Sequence, residues 1–180
     1  MKIFIIVGMP ASGKGIAGEY ALTEGYPCFS TGDVVRAEVK ARGLIPGPDT
    51  MAAVSTELRG KDGMGVTRRA LAHALEQDSP VVFLEGMRSW PEIELVREKA
   101  GAVVVAFLTP RPLRRERMVS RGRPDDSPDA FEERDRREID YGVAVPIALA
   151  DEYVLNTGTL EEALSAFGRI VERHASASQQ

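Results

Sequence analysis

The sequence predicts an α/β fold, a parallel sheet with helices on both faces. Three observations carry that reading. Short apolar runs recur along the chain, as in KIFIIV near the start, VVFL around residue 82 and VVVAFL around residue 105. Their unbroken apolar character suits central parallel strands covered on both sides. The segments between them have helical length and capping residues, so strands and helices alternate. The first run passes through a glycine-rich loop directly into a helix, the entry to an α/β phosphate-binding unit.

The elements follow in order. Residues 2–8 form the first strand, and a helix after Lys14 ends near Gly25. Tyr26 to Phe29 is a second short strand. Ser30 to Asp33 offers hydrogen-bonding residues at a helix start, with Asp33 as cap, and the helix runs toward Gly43. Leu44 to Thr50 is a loop rich in proline and glycine. Asp49 or Thr50 caps a helix through Leu58, Gly60 to Gly65 breaks it, and Val66 to Glu76 is helical. Ser79 to Gly86 is a buried strand. Trp90 or Pro91 opens a helix to Lys99, and Val103 to Pro110 is another buried strand. An arginine-dense helix and loop spans Arg111 to Arg123. Ser127 or Asp129 restarts a helix through Tyr141 toward Ile147. Asp151 to Asn156 is the last strand, and Thr159 caps a final helix to about His174. The tail is expected to fray.

The 180 residues suit one domain, 1–180, with a good core. A net charge of −4 gives no global basic field, so nucleic acid is not an expected partner. The single cysteine, Cys28, excludes an internal disulfide framework and fits a reducing compartment. It reads as a buried strand residue. No apolar run approaches a membrane span, and the first strand is too short for a signal sequence, so a cytoplasmic protein without membrane contact is expected.

The chemistry centres on GMPASGKG, Gly8–Gly15. Glycines let such a loop curl so that successive N–H groups point inward, and the following helix adds its positive dipole end. Lys14 adds a full charge. The loop therefore reads as a cradle for the β- and γ-phosphates of a nucleotide. In open parallel sheets ligands gather at the carboxyl ends of the strands. The loop at Gly8, the run at Ser30, the Glu85–Arg88 turn, the Pro110 bend and the Asn156 turn should then share one edge.

These residues also carry a resemblance. STGDVVR, Ser30–Arg36, resembles the STGDMLR run of adenylate kinases and related nucleoside monophosphate kinases. EGMRSWPE, from Glu85, resembles their acceptor-binding DGFPRTIPQ run. RMVSRGRPDDSPDAFEER, Arg117–Arg134, looks like their lid in a short form. ADEYVLNTGTLEEAL, Ala150–Leu164, is similar to the closing strand and helix of P-loop kinases, including dephospho-coenzyme A kinases. Together the motifs resemble an adenylate-kinase-like group of nucleotide kinases found mainly in archaea.

That resemblance implies a three-layer P-loop fold with five parallel strands in the order 2-3-1-4-5, an acceptor-binding insert at about 31–70 and a lid at about 117–134. It implies ATP and magnesium as the donor pair. Gly8, Pro10, Ala11, Ser12, Gly13, Lys14, Gly15 and Ile16 would hold the donor phosphates, and Arg117 would pack on its base. Thr31, Asp33, Arg36, Gly86 and Arg88 would hold a monophosphate acceptor. Arg121, Arg123 and Arg134 would stabilise the moving phosphoryl, with Lys14 and Arg88 beside them. Glu85 would hold magnesium through water. Asp125 and Asp126 either orient lid arginines or cap a helix. Arg111, Arg114, Arg115, Arg136 and Arg137 read as solvated helix charges. Trp90 reads as packing, and neither His73 nor His174 reads as catalytic.

The chemistry fits these residue types. Transfer between two phosphates brings several negative charges together, so catalysis is positioning and neutralisation. Arginine holds phosphate oxygens in pairs and stays protonated. A phosphate acceptor is already a nucleophilic anion and needs no general base.

The chain departs from the family pattern at several points. Ile16 stands where adenylate kinases have threonine. Ala11 replaces a loop glycine, Glu85 replaces aspartate, and the EGMR turn is one residue shorter. Glu92 stands where a glutamine reads the acceptor base; a carboxylate only accepts, which suits guanine or cytosine at least as well as adenine. Two alternatives remain. One is phosphorylation of a hydroxyl, as in dephospho-coenzyme A kinases, with Asp33 as base. The other is a nucleotide-dependent switch or assembly factor with slow ATPase activity and a protein or RNA partner.

Overall fold

The computed structural model describes residues 1–121 and 127–176. Its sheet has five strands: β1 (Lys2–Val7), β2 (Cys28–Ser30), β3 (Val81–Glu85), β4 (Ala102–Leu108) and β5 (Glu152–Leu155). All pairings are parallel, and the order is β2-β3-β1-β4-β5. β1 is central, with Ile5 level with Leu84 on one side and Val104 on the other.

Because side chains alternate across a strand, an unbroken apolar run feeds two cores at once. Phe4, Ile6, Phe83, Val105 and Phe107 face α1 (Gly15–Glu24) and α9 (Leu160–Ser176), meeting Ala17, Ala21, Phe167 and Val171. Ile3, Ile5, Val82, Leu84 and Val104 face the opposite layer, meeting Leu71 and Ala74 of α4 (Gly65–Leu75) and Ile93 and Val96 of α5 (Trp90–Lys99). A third, smaller cluster ties α2 (Thr31–Ala41), α3 (Pro48–Arg59) and α4 together through Val35, Val39, Val54, Leu58 and Val66. These helices thus form a packed wall beside the sheet rather than loose excursions from it.

The remaining helices are α6 (Arg111–Arg121), α7 (Pro128–Asp140) and α8 (Ala144–Ala148). The expected single helix from Ser127 toward Ile147 is two, because Gly142 takes φ +96° and turns the chain. The cap of α2 is Ser30, not Asp33. The Ser30 hydroxyl accepts from the Asp33 N–H at 3.0 Å, and Asp33 accepts from the Ser30 N–H at 3.1 Å, a reciprocal box. α3 starts from Gly47, with proline in its first turn, instead of from Asp49 or Thr50. Cys28 is exposed, not buried, because β2 is a three-residue strand at the sheet edge. Among the described residues no helix is long and apolar enough to cross a membrane.

Candidate active site

The all-parallel sheet brings every strand's carboxyl end to one edge, and the polar turns collect there. Gly8 follows β1, Ser30 ends β2, Glu85 ends β3, Thr109 follows β4 and Asn156 follows β5.

The phosphate loop is shaped by its backbone. Gly13 has φ +97°, and a Cβ there would lie 2.0 Å from Asn156 Nδ2, so only glycine fits. Ala11 is the one non-glycine residue with positive φ among the described residues, at 59°, so the loop keeps the left-handed turn despite its Cβ. The loop is pinned from three sides. Asn156 Nδ2 donates to Ser12 O at 3.0 Å, Thr109 Oγ1 lies 2.9 Å from the same carbonyl, and Arg114 Nη1 donates to Pro10 O at 3.0 Å. Lys14 folds over it, donating from Nζ to Gly8 O at 2.7 Å and Met9 O at 3.0 Å. Burial lowers the Lys14 pKa, opposed by the carboxylates of Glu138 and Glu85. Ser12 Oγ is buried and meets no hydrogen-bond partner among the described residues. An orphaned hydroxyl and a desolvated ammonium in one cradle fit an anionic phosphate chain.

Arg114 overturns the reading as a solvated charge. It is buried, forms a two-point pair with Asp135 at 2.6 and 2.7 Å, and lies over Phe131. Its guanidinium therefore couples α6 and α7 to the loop carbonyl of Pro10. Arg111 likewise pairs with Glu132 across these helices.

Beside the loop lies a cavity of about 640 Å³ between α2, α3, the β3–α5 turn and α7. Thr31, Arg36, Glu85, Gly86, Arg88 and Glu92 all line it, so one space gathers residues from separate segments. Thr31 Oγ1 donates to Gly86 O at 3.1 Å; Gly86 has φ +92°, and a Cβ there would lie 2.3 Å from that hydroxyl oxygen. Asp33 pairs with Arg36 at 2.5 Å. The hydrogen bonds from Ser30 and Arg36 outweigh desolvation and hold the Asp33 carboxyl below its ordinary range. Arg88 pairs with Glu138 at 2.8 Å, not with Glu85, and lies over the Tyr141 ring.

Glu92 corrects an expectation. It lines the cavity but is buried, and its carboxylate is already engaged. Oε2 accepts from the Arg88 N–H, the Ser89 N–H and the Ser89 hydroxyl at 2.9 to 3.0 Å, and Oε1 accepts from the Thr67 hydroxyl at 2.6 Å. It shapes the turn that carries Arg88 and is not placed to read a base.

Two further arginines line this cavity that sequence reasoning missed, Arg59 and Arg137. Arg59 ends α3, and nothing local marks it. Arg137 had a signal: Arg134, Arg137, Glu138 and Tyr141 recur at helical spacing and share one face of α7.

Arg134 lines a smaller space of about 220 Å³ over the loop, with Gly8, Lys14 and Arg88. Arg117 and Arg121 line an outer cleft instead, with Ala11, Gly13, Ile16 and Asn156. Arg117 reaches Thr109 Oγ1 and Asn156 Oδ1 at 3.4 Å. The arginine pair of α6 and Arg134 are therefore in separate spaces. Arg123, Asp125 and Asp126 lie outside the described residues. His73 stacks on Phe29, and His174 pairs with Glu152 at 2.7 Å, both away from these cavities.

Among the described residues no group of three or more His, Cys, Asp or Glu could hold a metal by itself. Glu85 stands at the strand end, its pKa raised by burial and by Asp33 and lowered by Lys14 and Arg36. One or two carboxylates facing a phosphate cradle suit magnesium, which keeps several waters and takes the rest of its ligands from phosphate.

Comparison with known proteins agrees with this architecture. The family model described as an AAA domain matches residues 7–132. A UPF0200 protein of Methanosarcina mazei is 38% identical over 166 residues, covering 89% of each chain. Among solved structures, TT1252 from Thermus thermophilus superposes with a TM-score of 0.68 at 18% identity, covering 96% of each chain. Shikimate kinase from Acinetobacter baumannii, in complex with shikimate, gives 0.58 at 15% identity over 99% of this chain and 95% of that one. The fold is that of P-loop kinases.

Proposed function

The chain belongs to the UPF0200 protein family, and from that premise we propose that it is an ATP-dependent phosphotransferase of the nucleoside monophosphate kinase type, moving the γ-phosphoryl of ATP to a nucleotide monophosphate. The observation that carries this reading is the continuity of the site. Lys14 and Arg88 line both the space over the phosphate loop and the larger cavity beside it. A donor phosphate on the loop would thus adjoin an acceptor phosphate held by Arg36 and Arg88.

In this reading α2 to α4 form the acceptor-binding insert, about 31–70, and the segment at about 117–134 acts as a lid. Thr31 and Gly86 fix the cavity floor. Arg117 flanks the donor base in the outer cleft, and Arg134 reaches the transferring group, with Arg121 and Arg123 completing the lid. Magnesium, when bound beside Glu85, neutralises charge on the donor phosphates. The chain's own residues orient the two phosphates, neutralise them with guanidinium and ammonium groups, and exclude water.

The hydroxyl-phosphorylating alternative needs Asp33 as a base. Its carboxylate is capped by Ser30, paired with Arg36 and held below its ordinary range, which disfavours that role.

Labelled ATP with magnesium and a panel of ribo- and deoxyribonucleoside monophosphates, dephospho-coenzyme A and shikimate tests the reading. Lys14→Ala is the blank. Transfer to a monophosphate, reduced about a hundredfold or more in the variant, is expected. Transfer to a hydroxyl acceptor alone, or release of inorganic phosphate alone, would refute it.

A further inference from the structure

We infer that Arg137 is a further catalytic residue, bridging the donor and acceptor phosphates. The inference rests on the kinase reading above and concerns a residue to which neither the sequence motifs nor the comparisons give a role.

Among the described residues only Lys14, Gly86, Arg88 and Arg137 line both the loop cavity and the larger acceptor cavity. The junction between two such spaces is where a phosphoryl group must cross. Gly86 offers backbone there, and Lys14 and Arg88 offer charge already engaged within the protein. Lys14 donates to Gly8 O and Met9 O, and Arg88 pairs with Glu138. Arg137 differs from both. Among the described residues its guanidinium makes no hydrogen bond or ion pair with a carboxylate, although Glu133 and Glu138 are close to it in sequence. The neighbouring Arg136 points to the other side of α7, lining the groove shared with Arg111 and Glu132. α7 therefore presents one guanidinium to the junction and keeps the next outside it.

In the transfer an oxygen of the acceptor phosphate forms a bond to the γ-phosphorus as the bond from that phosphorus to the β–γ bridging oxygen breaks. The electron pair leaves with the β-phosphate, and no proton moves. Negative charge shifts between the two bridging oxygens and accumulates on neither side of a fixed cation. A planar guanidinium at the junction can hold an oxygen of each partner throughout, which a point charge cannot. Arg137 supplies that group without first breaking an internal pair.

Diadenosine pentaphosphate, which carries a phosphate chain long enough to span both cavities, tests this by isothermal titration with magnesium, against ATP alone. The wild type should bind the pentaphosphate at least about tenfold more tightly than ATP. Arg137→Gln should lose about tenfold or more for the pentaphosphate and change ATP affinity less than about twofold, while Arg137→Lys recovers part of the loss. Arg136→Gln should behave as wild type, and the melting temperature of Arg137→Gln should be unchanged, since no internal partner is removed. If Arg137→Gln matches Arg136→Gln, or loses both ligands equally, the bridging role is overturned. If the wild type binds ATP but gains nothing from the pentaphosphate, bridging of the two cavities fails and the inference with it, while the kinase reading stands or falls on the transfer assay above.

Discussion

Arg88 Nε lies 2.8 Å from Glu138 Oε2, and the same guanidinium covers the Tyr141 ring at 4.9 Å. The β3–α5 turn is thereby joined to α7 by a residue pair that would compete with a phosphate for the Arg88 guanidinium in the proposed reading. Glu138 also raises the Lys14 pKa, so one half-buried carboxylate stands against both cations assigned to phosphate. It occupies electrostatically the place an anionic ligand would take.

Removing that competitor should favour the acceptor. Glu138→Gln is expected to tighten binding of the accepted monophosphate by about threefold to tenfold, the worth of a modest ion pair. Titration of both proteins with the acceptor found in the transfer assay checks this. Equal affinities would mean that the pair stays closed when the acceptor binds.

Glu92 should govern the turn and not the base. Glu92→Gln keeps one acceptor oxygen but loses the charge that four donors share, and should cost about 1–3 kcal/mol of stability in urea unfolding. The order of preference among acceptor bases should not change. A switch of base would restore Glu92 as a reader of the acceptor.

Glu85 makes stability depend on pH with a definite sign. Burial raises its folded pKa above the unfolded value. The protonated carboxyl therefore supports the fold fully below the ordinary glutamate range, and this contribution is lost as pH rises through the folded value. Glu85→Gln should melt higher than wild type near pH 7, and the gain should shrink toward pH 4. Thermal melts across that range decide it, and a gain that grows on acidification would contradict the assignment. The same variant should transfer phosphate more slowly, a stability gained at the expense of function.

Cys28 should be slow to alkylate even though its residue is exposed. Partial desolvation, with Glu85 and Asp33 nearby, pushes the thiol up to about 11. At pH 8 its reaction with iodoacetamide should run about a hundredfold below that of free cysteine, rising as pH approaches 11. Glu85→Gln should accelerate it. Rapid labelling at pH 8 in the wild type would show a thiol free of those carboxylates.

Much of this was legible in the sequence because its causes are local. The strand ends carry their own polar residues, and the glycine-rich loop announces itself by composition. The start of α2 lies within the four consecutive residues Ser30 to Asp33, although the reciprocal hydrogen bonds make Ser30 the cap. Arg114 was illegible for the opposite reason. Nothing near it distinguishes it from Arg115, and its burial depends on Phe131 and Asp135, which arrive from the next helix. Glu92 was misread because its partner Thr67 lies 25 residues earlier.

The sequence by itself determined the phosphate loop, the alternation of strands and helices, and the apolar strands that supply two cores, since each depends on spacing within a short window. The tertiary structure alone decided which charges are buried, which carboxylates are already bound, and which arginine faces the junction of the two cavities. Those outcomes depend on long-range contacts. A guanidinium on one face of α7 lines the outer groove and one on another lines the junction of the two cavities, and only the packing of α7 against the sheet edge selects the face.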